Sequence, residues 1–238
     1  GESFYVVDRG TPRIFRLDAS GRAQATLNLA SFGTYGLNGL AVDATGNLYV
    51  ADTGRNRILV LGQDGGLKRT IGHSGSDLSG LTQPMSLAFA PDASMFVADW
   101  ENSRIAHWSS TFEATEAWST SFRPFGVAVD QLGRVFVPDL ERRRVEAFTP
   151  QGAPLGELGG PGSPPIEIAP KQVAVGRSGQ PSVYALGSDG IVRLDLENTA
   201  PPPQPSADVD VASLGVLALL LVLVGAAINS RRARRRAA

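Results

Sequence analysis

The sequence predicts an all-β chain in which one four-stranded unit recurs about five times, followed by a single apolar helix at its C-terminal end. Three observations carry this expectation. A strand, turn and strand with one fixed internal spacing occurs four times before residue 150. The copies lie 40 to 47 residues apart, and 18 successive residues near the end, 211–228, carry no charge.

The repeated piece reads FYVVDRGTPRIFRLDASG from Phe4, LYVADTGRNRILVLGQDG from Leu48, MFVADWENSRIAHWSSTF from Met95 and VFVPDLERRRVEAFTPQG from Val135. Each copy is an alternating apolar strand ending in Asp, a polar turn, then Arg and a β-branched or similar apolar residue opening a second strand. Asp8 and Arg13, Asp52 and Arg57, Asp99 and Arg104, and Asp139 and Arg144 are all five residues apart. Upstream of the last three lies a second shared piece, LNGLAVDATGN from Leu37, QPMSLAFAPDAS from Gln83 and RPFGVAVDQLGR from Arg123, a short buried strand running into a hairpin turn. A fifth copy from Gln172 has Leu186 and Ile191 where the others have Asp and Arg. The anchors Ile14, Ile58, Ile105, Val145 and Val192 are separated by 44, 47, 40 and 47 residues, a period that holds about four short strands and so predicts the blades of a β-propeller.

Written out as P-x-G-[IVL]-A-V-D followed by [LV]-[YF]-V-[AV]-D-x-x-[NS]-x-R-[IV], this pattern resembles NHL repeats. The resemblance covers residues 1–198, in repeats near 1–31, 36–72, 81–120, 121–160 and 165–198. It implies an NHL-type β-propeller of five to six four-stranded blades. The first copy lacks its opening inner strand and the last a clear outer one, so either the two ends complete each other or a further blade precedes Gly1. The chain starts on a glycine inside a strand pattern, and an upstream segment removed or left out is expected.

A proline-rich stalk is expected over 199–210, where Pro201, Pro202, Pro203 and Pro205 favour an extended polyproline conformation. A transmembrane helix is expected over 211–229. Its uncharged 18 residues would rise about 27 Å, close to a bilayer's hydrocarbon thickness. Its 11 Leu, Val and Ile residues favour insertion by about 3–7 kcal/mol. Asp208 and Asp210 flank one end and five arginines the other, so the positive-inside rule places the 230–238 tail in the cytoplasm and the propeller outside. This is the topology of a single-pass protein of a bacterial inner membrane with a periplasmic propeller. The order of prolines, apolar run and arginines also resembles bacterial C-terminal sorting tails, with PQPSA in place of their usual Pro-Glu-Pro core.

The overall net charge of −1 hides an asymmetry, because setting the five tail arginines aside from 22 basic residues leaves 17 against 23 acidic ones. A net acidic body argues against nucleic acid as the partner. The absence of cysteine excludes disulfides, thiolate metal sites and thiol nucleophiles. The resemblance also brings in zinc-dependent lyases and calcium-dependent lactonases on similar propellers, but the only histidines are His73 and His107, too few for a three-histidine zinc site. No catalytic, metal or cofactor residue is therefore assigned. The recurring aspartates and arginines are read as structural pairs that cap each hairpin through turn amides.

Residues that depart from the repeat are the better candidates for function. All three tryptophans fall in the third copy: Trp108 is expected in the core, while Trp100, in a turn, is a candidate partner contact. Arg142 and Arg143 add charge to the corresponding turn of the next copy and complete the candidate contact set. The expected function is a non-enzymatic, membrane-anchored interaction scaffold, an accessory subunit of a larger integral membrane complex such as a photosynthetic or respiratory one. An extracellular ligand-sensing or glycan-binding propeller and a propeller hydrolase or lyase are the alternatives.

Overall fold

The computed structural model describes residues 3–159, 166, 168–176, 182–188 and 190–195. The stalk, transmembrane helix and tail expected over 199–238 lie outside the described residues. Among the described residues, no helix is long and apolar enough to cross a membrane.

Five antiparallel sheets follow one another along the chain. The first contains β1 (Ser3–Asp8), β2 (Arg13–Asp18) and β3 (Ala23–Asn28). The second contains β4 (Leu37–Val42), β5 (Leu48–Asp52), β6 (Arg57–Leu61) and β7 (Leu67–Ile71). A parallel pair of two-residue strands, β8 (His73–Ser74) and β9 (Gly80–Leu81), forms within the connection that leads on. The third sheet contains β10 (Pro84–Phe89), β11 (Met95–Asp99), β12 (Arg104–Trp108) and β13 (Ala114–Ser119). The fourth contains β14 (Ala128–Val129), β15 (Val135–Asp139), β16 (Arg144–Phe148) and β17 (Pro154–Leu158), and the fifth β18 (Gln172–Val175), β19 (Ser182–Leu186) and β20 (Ile191–Asp195). In every sheet, sequence order is spatial order, the meander of a propeller blade.

Blades two to four have the expected four strands. The first and fifth have three among the described residues, and register shows which. Asp8 stands opposite Arg13 as Asp52 stands opposite Arg57, so β1 is the counterpart of β5, a second strand. The fifth sheet instead supplies first, second and third strands, since Leu186 stands opposite Ile191.

Apolar residues at alternate strand positions face the neighbouring blades, so the core is a series of layers between sheets. Leu48, Val50, Leu59 and Leu61 of blade two pack back on Ile14 and Leu27 of blade one. On the opposite face, Tyr49, Ile58 and Val60 pack on Met95, Val97 and Trp108 of blade three. Trp108 is 1% exposed, as the core reading of that tryptophan expected. Phe96 and Ile105 meet Val135, Val137 and Phe148, and Phe136 and Val145 meet Val173 and Val183.

The first strands approach one another so closely that a side chain is excluded at certain positions. A Cβ on Gly39 of β4 would lie 2.6 Å from the Ser86 Cα of β10, and one on Gly126 would lie 2.8 Å from the Lys171 carbonyl oxygen. The glycine of the repeated P-x-G pattern is therefore a packing residue between blades.

Two kinds of turn divide the molecule into two faces. On one, the first-to-second and third-to-fourth strand turns are held by aspartates that accept amides ahead of them in the chain. Asp43 Oδ1 takes the N–H of Thr45 at 2.8 Å and of Asn47 at 2.9 Å, Asp130 Oδ1 those of Leu132 and Arg134 at 2.9 Å, and Asp18 Oδ1 those of Ser20 and Arg22. In the third-to-fourth turns, Gly21, Gly65 and Gly152 occupy the left-handed position, but blade three has Phe112 there at φ 64°. Its ring packs on Tyr49 of blade two, centroids 5.5 Å apart, so an inter-blade aromatic contact offsets the cost of an unfavourable backbone. The opposite face contains the second-to-third strand turns and the connections between blades.

Candidate contact face

The Asp and Arg of each repeat lie at the start of this second face. In blade two, Arg57 Nε donates to Asp52 Oδ2 at 2.8 Å, and its Nη2 donates to the Phe32 carbonyl in the connection from blade one. Asp52 Oδ1 accepts the N–H of Tyr35 from that same connection at 2.7 Å. Blade three repeats the device: Arg104 Nε meets Asp99 Oδ2 at 2.8 Å, and Asp99 Oδ1 accepts the Thr82 N–H at 2.7 Å. The remaining Arg104 nitrogens donate to the carbonyls of Ser76, Asp77 and Gly80. The carboxylates are fully buried, and each guanidinium replaces the water they lose.

These pairs were expected to cap their own hairpins. In blades two and three each aspartate meets its arginine as expected, but the amide it accepts belongs to the connection arriving from the previous blade rather than to its own turn. The other two pairs differ. Asp139 Oδ1 accepts the N–H groups of Glu141 and Arg142 in its own turn, and Arg144 Nε stands 3.7 Å from Asp139 Oδ2. Arg144 turns outward to Glu146 and Glu157, while Arg142 Nη1 takes Asp139 Oδ2 at 2.9 Å. Connection length explains the change. Twelve residues separate Ile71 from Pro84, but only four separate Ser119 from its counterpart Pro124, too few to loop over the arginine. In blade one, Asp8 and Arg13 are opposite in register, and the Asp8 carboxylate takes the Gly10 N–H and the Thr11 hydroxyl. The Thr11 hydrogen bond is the largest influence lowering the Asp8 pKa below the ordinary carboxylate value, against desolvation that raises it.

The candidate contacts Trp100, Arg142 and Arg143 all belong to this face. Trp100 is half-buried rather than open. The Arg123 guanidinium lies 4.8 Å from its ring centroid, and Arg123 Nη2 is 3.2 Å from Glu101 Oε2. Arg142 is pinned to Asp139 and donates to the Ser121 hydroxyl at 3.2 Å. Asp139 holds the Arg142 pKa above its usual value. Arg143 is exposed with φ 51°, at the position where Asn56 and Ser103 are also left-handed. Sequence reasoning missed Arg123, whose contact with Trp100 spans blades, and Tyr35 and Leu78, which are 70% and 47% exposed in connections without a strand pattern.

His73 and His107 are well apart in their roles. His73 is exposed in β8, its Nε2 2.9 Å from Asp77 Oδ2. The His107 ring stacks on Phe96 at 4.2 Å, and neither ring nitrogen has a partner. Burial lowers the His107 pKa despite the opposing charges of Glu116 and Asp92. Among the described residues, no group of three or more His, Cys, Asp or Glu side chains is placed to hold a metal ion.

Comparisons with known proteins agree with this architecture. The family model for the NHL repeat matches residues 34–61, the connection and first three strands of blade two. A streptogramin B lyase structure is similar at 15% identity over 82% of this chain and 66% of its own, with a TM-score of 0.59. A protein of unknown function from Bacteroides caccae is similar at 17% identity over 87% of this chain and 73% of its own, with a TM-score of 0.64. BBS1N, solved in complex with ARL6DN, is similar at 16% identity over 81% of this chain and 60% of its own, with a TM-score of 0.56. The chain thus spans about two thirds of the length of these structures, and at such identities the likeness is one of fold. No curated protein matches the sequence. With an NHL repeat matched in blade two and the same strand order carried through the neighbouring sheets, the chain folds as a β-propeller that contains an NHL repeat.

Proposed function

We propose that this propeller is a membrane-tethered binding platform without catalytic activity of its own, an accessory subunit of a larger integral membrane complex on the periplasmic or extracellular side. The observation that carries the reading is the construction of the clamp face. Its aspartates are committed to backbone amides and arginines, and it presents Trp100 beneath Arg123 at a turn fixed by hydrogen bonds on both sides. A surface held in place before a partner arrives loses little conformational entropy on binding. The apolar segment 211–229 supports the tether, and the arginines after it support a cytoplasmic C-terminus. BBS1N, a propeller of similar fold, was solved in a complex with another protein. The lyase alternative draws on fold likeness alone, which does not supply a site.

Gentle detergent extraction from native membranes followed by gradient sedimentation tests the proposal. Co-migration of the chain with a larger assembly is expected. Migration only at the size of the free chain would remove the accessory-subunit reading.

A further inference from the structure

The two faces differ in charge. Arg9, Arg55, Arg123, Arg142, Arg143 and Lys171 are exposed on the clamp face, in the second-to-third strand turns or the connections between blades. Among the described residues, the exposed carboxylates of these turns and connections are Asp77 and Glu141, with Glu101 half-buried against Arg123. On the opposite face, among the described residues, the turns hold exposed Asp64, Asp92 and Glu113 and half-buried Asp18 and Asp43, with exposed Arg22 and half-buried Arg134 as their cations and exposed Lys68 following in β7. A body that is acidic in sum therefore has one basic side among the described residues.

Strand direction adds a second constraint. In every blade, the second strand ends and the third begins at the clamp face. β20 is a third strand: it starts with Ile191 opposite Leu186 and runs to Asp195 opposite Ser182, on the acidic side. The described chain thus ends at the acidic face.

We infer that the clamp face docks an acidic protein surface, an inference that rests on the platform reading and supplies its partner chemistry. Charge complementarity sets the sign of the partner. Exposed Tyr35 and Leu78 and the guanidinium-covered Trp100 add the aromatic and apolar anchors that protein interfaces use. Ties between blades hold these anchors together: Gly54 N donates to the Tyr35 carbonyl, Asn56 to the Ser74 hydroxyl, Asn102 to the Gly75 carbonyl and Arg142 to the Ser121 hydroxyl. Carboxylates interleaved among the arginines, together with the acidic opposite face, favour a protein over a nucleic acid, whose continuous phosphates require an unbroken basic track.

The test uses the full chain in lipid nanodiscs and labelled poly-L-glutamate as the probe. A single-stranded RNA oligomer and nanodiscs containing phosphatidylserine give the competing arms. Arg9→Glu combined with Arg143→Glu reverses charge at two side chains that join no hydrogen bond or ion pair within the described fold, so folding is preserved and is checked by thermal melting. Arg22→Glu on the acidic face is the control. Salt-sensitive binding of poly-L-glutamate is expected, weakened about tenfold by the double reversal and unchanged by Arg22→Glu. Tighter binding to RNA, capture by phosphatidylserine rather than poly-L-glutamate, equal losses from both faces, or no binding at low salt would each overturn the inference. A chain that sediments in a large assembly yet fails this test leaves the platform reading standing without an acidic partner. One that passes it but sediments alone keeps the basic docking face and loses the membrane complex.

Discussion

In the third blade, Arg104 holds a buried aspartate and three carbonyls of the connection from blade two; in the fourth, Arg144 turns away from its aspartate toward two glutamates at the blade's outer strands. The sequence motif is the same. The difference teaches that the Asp and Arg of this repeat are a clamp awaiting a strap. Where the connection is long enough to pass over the arginine, the guanidinium takes its carbonyls, three in blade three and one in blade two. Where it is short, the arginine seeks carboxylates instead, and blade four has Glu146 where blades two and three have Leu59 and Ala106.

The strongest way to break the comparison is to remove the aspartates. Asp99→Ala leaves a largely buried guanidinium without its counter-charge and the Thr82 N–H without its acceptor, and a loss of about 3–5 kcal/mol is expected. Asp139→Ala leaves Arg144 with both glutamates and should cost about 1–3 kcal/mol, the price of two turn amides and the Arg142 contact. Chemical denaturation of the two variants checks this, and equal losses would mean that the strap adds nothing.

Gly39→Val probes the joint between blades two and three independently of the clamp. Its branched side chain has only backbone to displace, and a loss of about 1–3 kcal/mol is expected in the same assay. Glu157→Gln should cost under about 1 kcal/mol, because that contact is partly exposed and Glu146 remains. The corresponding change in blade two, Thr70→Gln, faces no such ion pair and serves as the reference.

The smallest expected effect lies between blades three and four and depends on pH. The folded chain resists protonating His107, whereas the unfolded chain takes up that proton near pH 6.5. This contribution is complete above about pH 6.5 and is lost as pH falls below it toward the lower folded value. Glu116 and Asp92 face the ring and limit the loss. Replacing the imidazole in His107→Phe keeps an aromatic ring against Phe96, so melting temperature between pH 7 and pH 5 should fall less than in the parent chain.

Much of this architecture was legible from the sequence, for identifiable reasons. The strand pairs and the five-residue Asp-to-Arg spacing are local and periodic, so one hairpin read correctly could be transferred to the others. The destination of the arginines was not, since carbonyl oxygens have no residue-level signature. The period did hold a clue: it drops from 47 to 40 residues between Ile105 and Val145, where the connection shortens. The stacking of Arg123 on Trp100 could not be read because it joins residues of neighbouring blades through their packing. Trp108 was legible as core because its neighbours alternate along a strand, while Trp100 was correctly singled out as a turn residue but only the fold supplied its arginine.

The clamps have a consequence for how the molecule is made. Each fastens a connection that has already left the ribosome with a hairpin that has not, so a joint becomes secure only when the following blade is synthesised. Tyr35 waits 17 residues for Asp52, and Ser76 waits 28 for Arg104. These are short waits, which favours rapid docking. Assembly of the disc is expected to advance in one direction, from the N-terminal blades onward. The joint before blade four, which lacks a strap, gains no such fastening when its hairpin emerges.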